Sequence, residues 1–256
     1  MFTGIQISSL KKLLTNREAV TQVMLKLKSI GFTHAQLQWI DKSIQPSEIA
    51  EGLLVSGLIP LGTQEKYDEC MRDLDYFIRL NRACKTDEIC ISGIPDRYEG
   101  FEGIMKYTEE VRELYNRLAG EGIRLSYHPV KNDFRYSGGK PSAEIVLDEI
   151  PMLEIVPDTN QLMRASMDVC AFITRYAGRM RMIHFKDMES TLDSAPLTPV
   201  GRGCTPFPSF MPDIMRADIR YLLVEQETWS DDPFLCMQES WCYVQSMVDE
   251  SNLNKG

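Results

Sequence analysis

The chain has 256 residues and is 43% hydrophobic and 25% charged, the composition of a soluble globular protein with one large domain or two small ones. Its formal net charge is −9 with no basic stripe, which argues against nucleic acid as a partner and leaves a small anion for one or two local Lys or Arg. No apolar run approaches the ~20 residues of a membrane span.

The N-terminal stretch MFTGIQISSLKKLL lacks the basic-then-apolar order of a signal peptide. The cysteines, Cys70, Cys84, Cys90, Cys170, Cys204, Cys236 and Cys242, are odd in number, dispersed and without a C-x-x-C pair. That pattern argues against a disulfide framework and a cysteine zinc site, and fits a reducing compartment, so the cytoplasm is expected.

In chain order, TGIQIS at 3–8 reads as a first strand, followed by a helix over 18–30, where Val20, Val23, Met24, Leu27 and Ile30 recur at steps of three and four until Gly31. HAQLQW at 34–39 is a second strand with an irregular unit behind it, and LLVSGLI at 53–59 a third. A helix is expected over 66–82, then strand EICISGI at 88–94 and a helix over 102–118 that ends at GEG. IRLSYH at 123–128 and MLEIVP at 152–157 are strands five and six, and a helix over 162–176 runs to Gly178. RMIHF at 181–185 and IRYLLVE at 219–225 are strands seven and eight, with a last helix over 234–248.

Near-continuously apolar strands alternating with helices imply a parallel sheet covered by helices. Eight such units in this length predict an α/β fold, a single (β/α)8 TIM barrel filling residues 1–256 as one domain. A doubly wound open sheet would want a glycine-rich phosphate loop after its first strand, and SSLKKLL has no glycine.

In such a barrel the chemistry sits at the carboxyl ends of the strands. Strand five ends in His128, strand six runs into Asp158, strand seven ends in His184 and strand eight in Glu225. Consecutive strands can bring these side chains to one point, and the mixed N/O set suits Mn, Zn, Co or Fe better than Mg. Each has a plainer reading: Asp158 as a helix N-cap, Glu225 as a solvated strand end, either histidine as a hydrogen-bonded structural residue. His34, at the opposite end of strand two, reads as structural.

These residues also carry a resemblance. GIRLSYHPVKNDF, LEIVPDTNQLMRASMD, MIHFKD, PVGRG and LLVEQETWSDDP stand in the order and spacing of motifs of the xylose isomerase-like TIM barrels. That family of sugar phosphate isomerases and epimerases includes inosose dehydratase and the ketose 3-epimerases. The resemblance implies one divalent metal on His128, Asp158, His184 and Glu225, a small-molecule carbohydrate substrate, and proton abstraction beside a carbonyl with a metal-stabilised enediolate. Neither nucleic acid nor membrane is implied as a partner, and a homo-oligomer stays open.

The catalytic residues expected are Glu225 as carboxylate base, Lys186 as hydrogen-bond donor or proton carrier, and His128. For Lys186 a salt bridge with Asp187 or another carboxylate is an equal alternative. Arg202, flanked by glycines after strand seven, is a candidate for substrate phosphate or carboxylate against the plainer reading of an exposed loop arginine. Gln6 and Gln38 are candidates for sugar hydroxyls, and Trp229 and Trp39 for stacking on a sugar face or for packing.

The sequence departs from the family pattern at Val130 (for His), Asp133 (for Glu), Gln161 (for Trp), Ser166 (for Gly) and Arg202 (for Glu). His128 also stands where the ketose 3-epimerases carry a second acid–base Glu. A metal-dependent isomerase or epimerase is thus the first expectation. A dehydratase or lyase on a keto-polyol is the second, and a barrel that binds a partner without turnover the third.

Overall fold

The structure, a computed structural model, describes residues 1–192 and 194–253. Eight strands form its parallel sheet: β1 (Phe2–Gln6), β2 (His34–Leu37), β3 (Ile59–Lys66), β4 (Glu88–Ser92), β5 (Arg124–His128), β6 (Glu154–Ile155), β7 (Met182–Phe185) and β8 (Tyr221–Val224). Hydrogen bonding runs in the order β6-β5-β4-β3-β2-β1-β8-β7. The two outer strands then meet. Ile155 N–H donates to Arg179 O and His184 N–H to Pro157 O, both at 2.8 Å, and Asp158 and His184 form a parallel bridge. The ring closes, as the eight-unit rhythm predicts.

Helices α1 (Arg17–Ile30), α2 (Pro46–Ser56), α3 (Tyr67–Arg72), α4 (Leu74–Cys84), α5 (Gly100–Gly120), α6 (Ser142–Glu149), α7 (Thr159–Arg164), α8 (Val169–Arg175), α9 (Phe207–Arg216) and α10 (Pro233–Leu253) surround it. Asn16 caps α1 by accepting from Ala19 N–H at 2.9 Å, and Gly31, at φ 126°, ends it. Among the described residues no helix is long and apolar enough to cross a membrane.

Two side-chain layers follow from the strand period of two. Ile91, Ile155, Ile183, Leu222 and Val224 belong to the large core between the ring and its helices. Leu61, Cys90, Val156, Met182 and Leu223 form a separate buried cluster inside the ring. Two residues beyond Val156, Met182 and Leu223 stand Asp158, His184 and Glu225. The inner plug therefore fixes which face those three side chains take.

The third strand is not LLVSGLI. Residues 53–56 complete α2, whose buried positions Ile49, Gly52, Leu53 and Ser56 follow helical spacing, while Leu54 and Val55 are 83% and 56% exposed. Gly57, in the left-handed region at φ 70°, ends the helix. The strand is IPLGTQEK, too polar at its end to read as a strand because that end faces the barrel mouth. The helix expected over 66–82 divides at Asp73 into α3 and α4. That expected over 162–176 divides around Ser166, at φ 58°, into α7 and α8.

Candidate metal centre

The closing bridge sets Asp158 and His184 side by side. His128, at the end of β5, lies with its ring centroid 4.8 Å from that of His184. One ligand atom from each of His128, Asp158 and His184 falls within 4.8 Å of the others. Glu225 completes the group, its Oε2 3.0 Å from His184 Nδ1. The four strand-end residues thus meet at one place. They are almost sealed from solvent, at 4%, 0%, 0% and 2% exposure, so charges there act through a medium of low dielectric.

Hydrogen bonds fix both imidazole tautomers. His128 Nδ1 is 3.0 Å from Val156 O, an acceptor only, so Nδ1 carries the hydrogen and Nε2 keeps its lone pair. For His184 the assignment starts from a backbone donor: Ser8 N–H donates to Gln6 Oε1 at 3.4 Å. Gln6 Nε2 therefore donates to Gln36 Oε1 at 2.8 Å. That same oxygen, 2.7 Å from His184 Nε2, accepts the imidazole hydrogen. The Nδ1 lone pair then faces Glu225.

Asp158 serves two roles with its two oxygens. Oδ1 caps α7 by accepting from Asn160 N–H at 2.7 Å and Gln161 N–H at 3.0 Å. Oδ2 is left for the centre. Asp158 Oδ2, Glu225 Oε2 and His184 Nδ1 are buried without a hydrogen-bond partner among the described residues. A lone pair and a carboxylate oxygen 3.0 Å apart repel unless a cation lies between them. On that observation the donor set fits a divalent ion of the Mn, Zn, Co or Fe type.

The titration of the group follows its burial. Burial lowers His128 to about 3, which keeps this imidazole neutral as a ligand requires. Burial raises Asp158 to about 6 against the opposing pull of Lys186. Burial would also raise Glu225, but the Lys186 ammonium outweighs it and holds the carboxyl well below its usual range.

MIHFKD divides its labour. Lys186 Nζ lies 2.7 Å from Glu227 Oε2, 3.6 Å from Glu225 Oε1 and 3.8 Å from Asp158 Oδ2. Burial would lower its pKa, and the three carboxylates reverse this and raise it. Asp187 turns away from Lys186. Its carboxylate accepts from the N–H groups of Met188, Gly201, Gly203 and Thr205 at 2.9 to 3.1 Å and clamps the loop that carries Arg202.

That clamp changes the reading of Arg202. Its flanking glycines do not free it towards the pocket. A Cβ on Gly203 would stand 2.2 Å from Met188 O, and one on Gly201 2.3 Å from the Tyr243 ring, so both glycines are demanded by packing. The guanidinium pairs with both oxygens of Glu239 on α10.

Of the other substrate candidates, Gln6 acts on His184 through Gln36, and Gln38 Oε1 accepts from Gln64 Nε2 at 3.4 Å. Trp229 Nε1–H donates to Ser9 O at 2.9 Å and its ring packs on the main core. Trp39 donates to Glu65 Oε1 at 3.1 Å. His34 lies at the far end of the barrel between the rings of Phe2 and Tyr221, each 4.9 Å away.

Two participants were missed in the sequence. Gln36 shares the inward parity of Gln38 in HAQLQW, and Glu227 that of Glu225 in VEQE; the alternation of two was the available signal.

Residues 53–241 match the family model of the xylose isomerase-like TIM barrel. The chain belongs to that family. Among solved structures of this xylose isomerase-like fold, a sugar phosphate isomerase/epimerase from Parabacteroides distasonis ATCC 8503 is similar with a TM-score of 0.76 and 17% identity, over 95% of each chain. The IOLI protein, whose structure holds a zinc atom, is similar with a TM-score of 0.77 and 11% identity, over 98% of this chain and 99% of that one. The probable 3-DHS dehydratase AsbF from Bacillus anthracis follows at 0.71 and 12%, over 96% and 99%. No curated protein sequence matches the chain. Identities this low carry the fold; isomerases, epimerases and dehydratases share it.

Proposed function

We propose that this xylose isomerase-like barrel is a divalent-metal-dependent isomerase or epimerase of a small carbohydrate, moving a proton at a carbon beside a carbonyl. The observation that carries the reading is the meeting of His128, Asp158 and His184 within 4.8 Å, with Glu225 3.0 Å from His184 Nδ1. An ion held by these residues supplies Lewis-acid polarisation of the substrate's oxygens. His128 acts as a ligand, its Nδ1 tied to Val156 O.

Glu225, ionised because the Lys186 ammonium stabilises its charge, takes the proton from carbon. Lys186 stays an ammonium among three carboxylates, so its part is to donate a hydrogen bond to the oxygen on which charge develops. The burial of the four residues limits the access of bulk water to them. Arg202 is held by Glu239, which removes the strongest support for a phosphorylated substrate.

A dehydratase acting on a keto-polyol is the second reading. The acid–base candidates are one carboxylate, Glu225, and one ammonium, Lys186, in place of two carboxylates, an asymmetry that suits departure of a hydroxyl. The odd number and dispersed positions of the cysteines support a reducing compartment, the cytoplasm.

The test is incubation of the Mn²⁺-loaded protein with keto-sugars and inosose-like compounds in D₂O. Deuterium entering at carbon in a product of unchanged composition supports isomerisation. An ultraviolet-absorbing product that has lost water supports the dehydratase. Bound metal with neither outcome supports a barrel that binds without turnover.

A further inference from the structure

We infer that Glu227 sets the affinity of the centre for its divalent cation, by completing the negative charge there and by drawing the Lys186 ammonium off the ligand carboxylates. The inference rests on the metal-centre reading.

Lys186 faces three carboxylates at unequal distances. Glu227 Oε2, at 2.7 Å, is in hydrogen-bond contact, whereas Glu225 Oε1 and Asp158 Oδ2 are at 3.6 and 3.8 Å. Glu227 is also the outermost of the three, with 24% of its side chain exposed against 3% and 0%. The ammonium is thus pulled outward, away from Asp158 Oδ2, which the cation needs, and from the Glu225 carboxylate. The position of Glu227 is built, since the segment is pinned on both sides of it. Gln226 N–H donates to Ser9 Oγ and Trp229 Nε1–H to Ser9 O, both at 2.9 Å.

Charge gives the second argument. With neutral imidazoles, three carboxylates against one ammonium leave a formal charge of about −2, the complement of a divalent cation. Removing the Glu227 charge leaves −1. It also leaves Asp158 and Glu225 as the partners of Lys186, so that ammonium and metal compete for Asp158 Oδ2 and for the charge of the Glu225 carboxylate. Carboxylates behind a metal's ligands commonly set affinity by about 10–100-fold.

The experiment is calorimetric titration of Mn²⁺ into wild type, Glu227→Gln, Lys186→Met and the double variant, with circular dichroism confirming that each is folded. Glu227→Gln is expected to bind about tenfold or more weakly. Lys186→Met should bind at least as tightly as wild type. The double variant, which restores the formal charge, should return to within about threefold of wild type.

Unchanged affinity in Glu227→Gln overturns the inference, as does a double variant no better than Glu227→Gln, the result expected if Glu227 only shapes its loop. Weaker binding by Lys186→Met overturns it without reference to any Glu227 variant. A wild type that takes up no Mn²⁺ overturns the metal reading and this inference together, whereas binding that is indifferent to Glu227 overturns the inference alone.

Discussion

Asp158 and His184 face each other across the seam that closes the barrel, paired by backbone as a parallel bridge. The ring's last hydrogen bond and the start of the metal centre are therefore the same structural event. One side chain reaches the centre from a helix cap and the other from a strand end. The Asp158 oxygen that does not cap α7 accepts no hydrogen bond among the described residues.

Gln36 orients His184 and should behave as part of the centre without touching an ion. Gln36→Leu removes the acceptor 2.7 Å from Nε2 and frees the ring to change tautomer. Mn²⁺ affinity is expected to fall about 10–100-fold, while far-ultraviolet circular dichroism keeps its wild-type shape. Titration calorimetry reads the first and a spectrum the second.

Turnover and metal binding should separate. Lys186→Met is expected to retain metal and to lose deuterium exchange into any substrate that the wild type exchanges. Retained exchange would return Lys186 to an ion-pairing role alone. Glu225→Gln should lose exchange as well, because an amide cannot take the proton from carbon.

Asp187 holds a loop, and its removal should show in stability. Asp187→Ala leaves the N–H groups of Gly201, Gly203 and Thr205 without their acceptor. A loss of about 2–4 kcal/mol is expected in urea unfolding, with faster proteolysis near residue 202. Gly203→Ala should act in the same direction, since its Cβ would stand 2.2 Å from a carbonyl oxygen.

Asp133, bonded to Tyr127 and Val130 on either side of His128, gives a pH dependence of its own. Burial raises its pKa to about 6, although Tyr127 O–H and the N–H groups of Ile94 and Val130 favour the charged form. A carboxyl with a raised folded pKa contributes stability that is full below its unfolded value, about 3.9, and is lost as pH rises through about 6. Urea unfolding from pH 4 to pH 7 should show this fall in wild type, and Asp133→Asn should show a flatter profile. Parallel profiles would refute the assignment.

Much of this was legible in the sequence, for physical reasons that also mark where legibility ends. Strand alternation places Asp158, His184 and Glu225 on one face without knowledge of any contact. It misplaces the third strand, because LLVSGLI is as apolar as a strand while serving as the end of α2. The division of 66–82 at Asp73 and of 162–176 at Ser166 lies in backbone angles that apolar spacing does not report. The role of Gln36 depends on a contact 148 residues away. The partner of Arg202 lies 37 residues on, on α10.

The most direct test is metal content per chain by elemental analysis after equilibration with Mn²⁺ or Zn²⁺ and gel filtration, for wild type beside His128→Ala and His184→Ala. About one equivalent in wild type, lost in both variants while their circular dichroism stays native, is the predicted result. Equal metal in all three, or none in wild type, would contradict the centre and leave the four strand-end residues as a buried polar network.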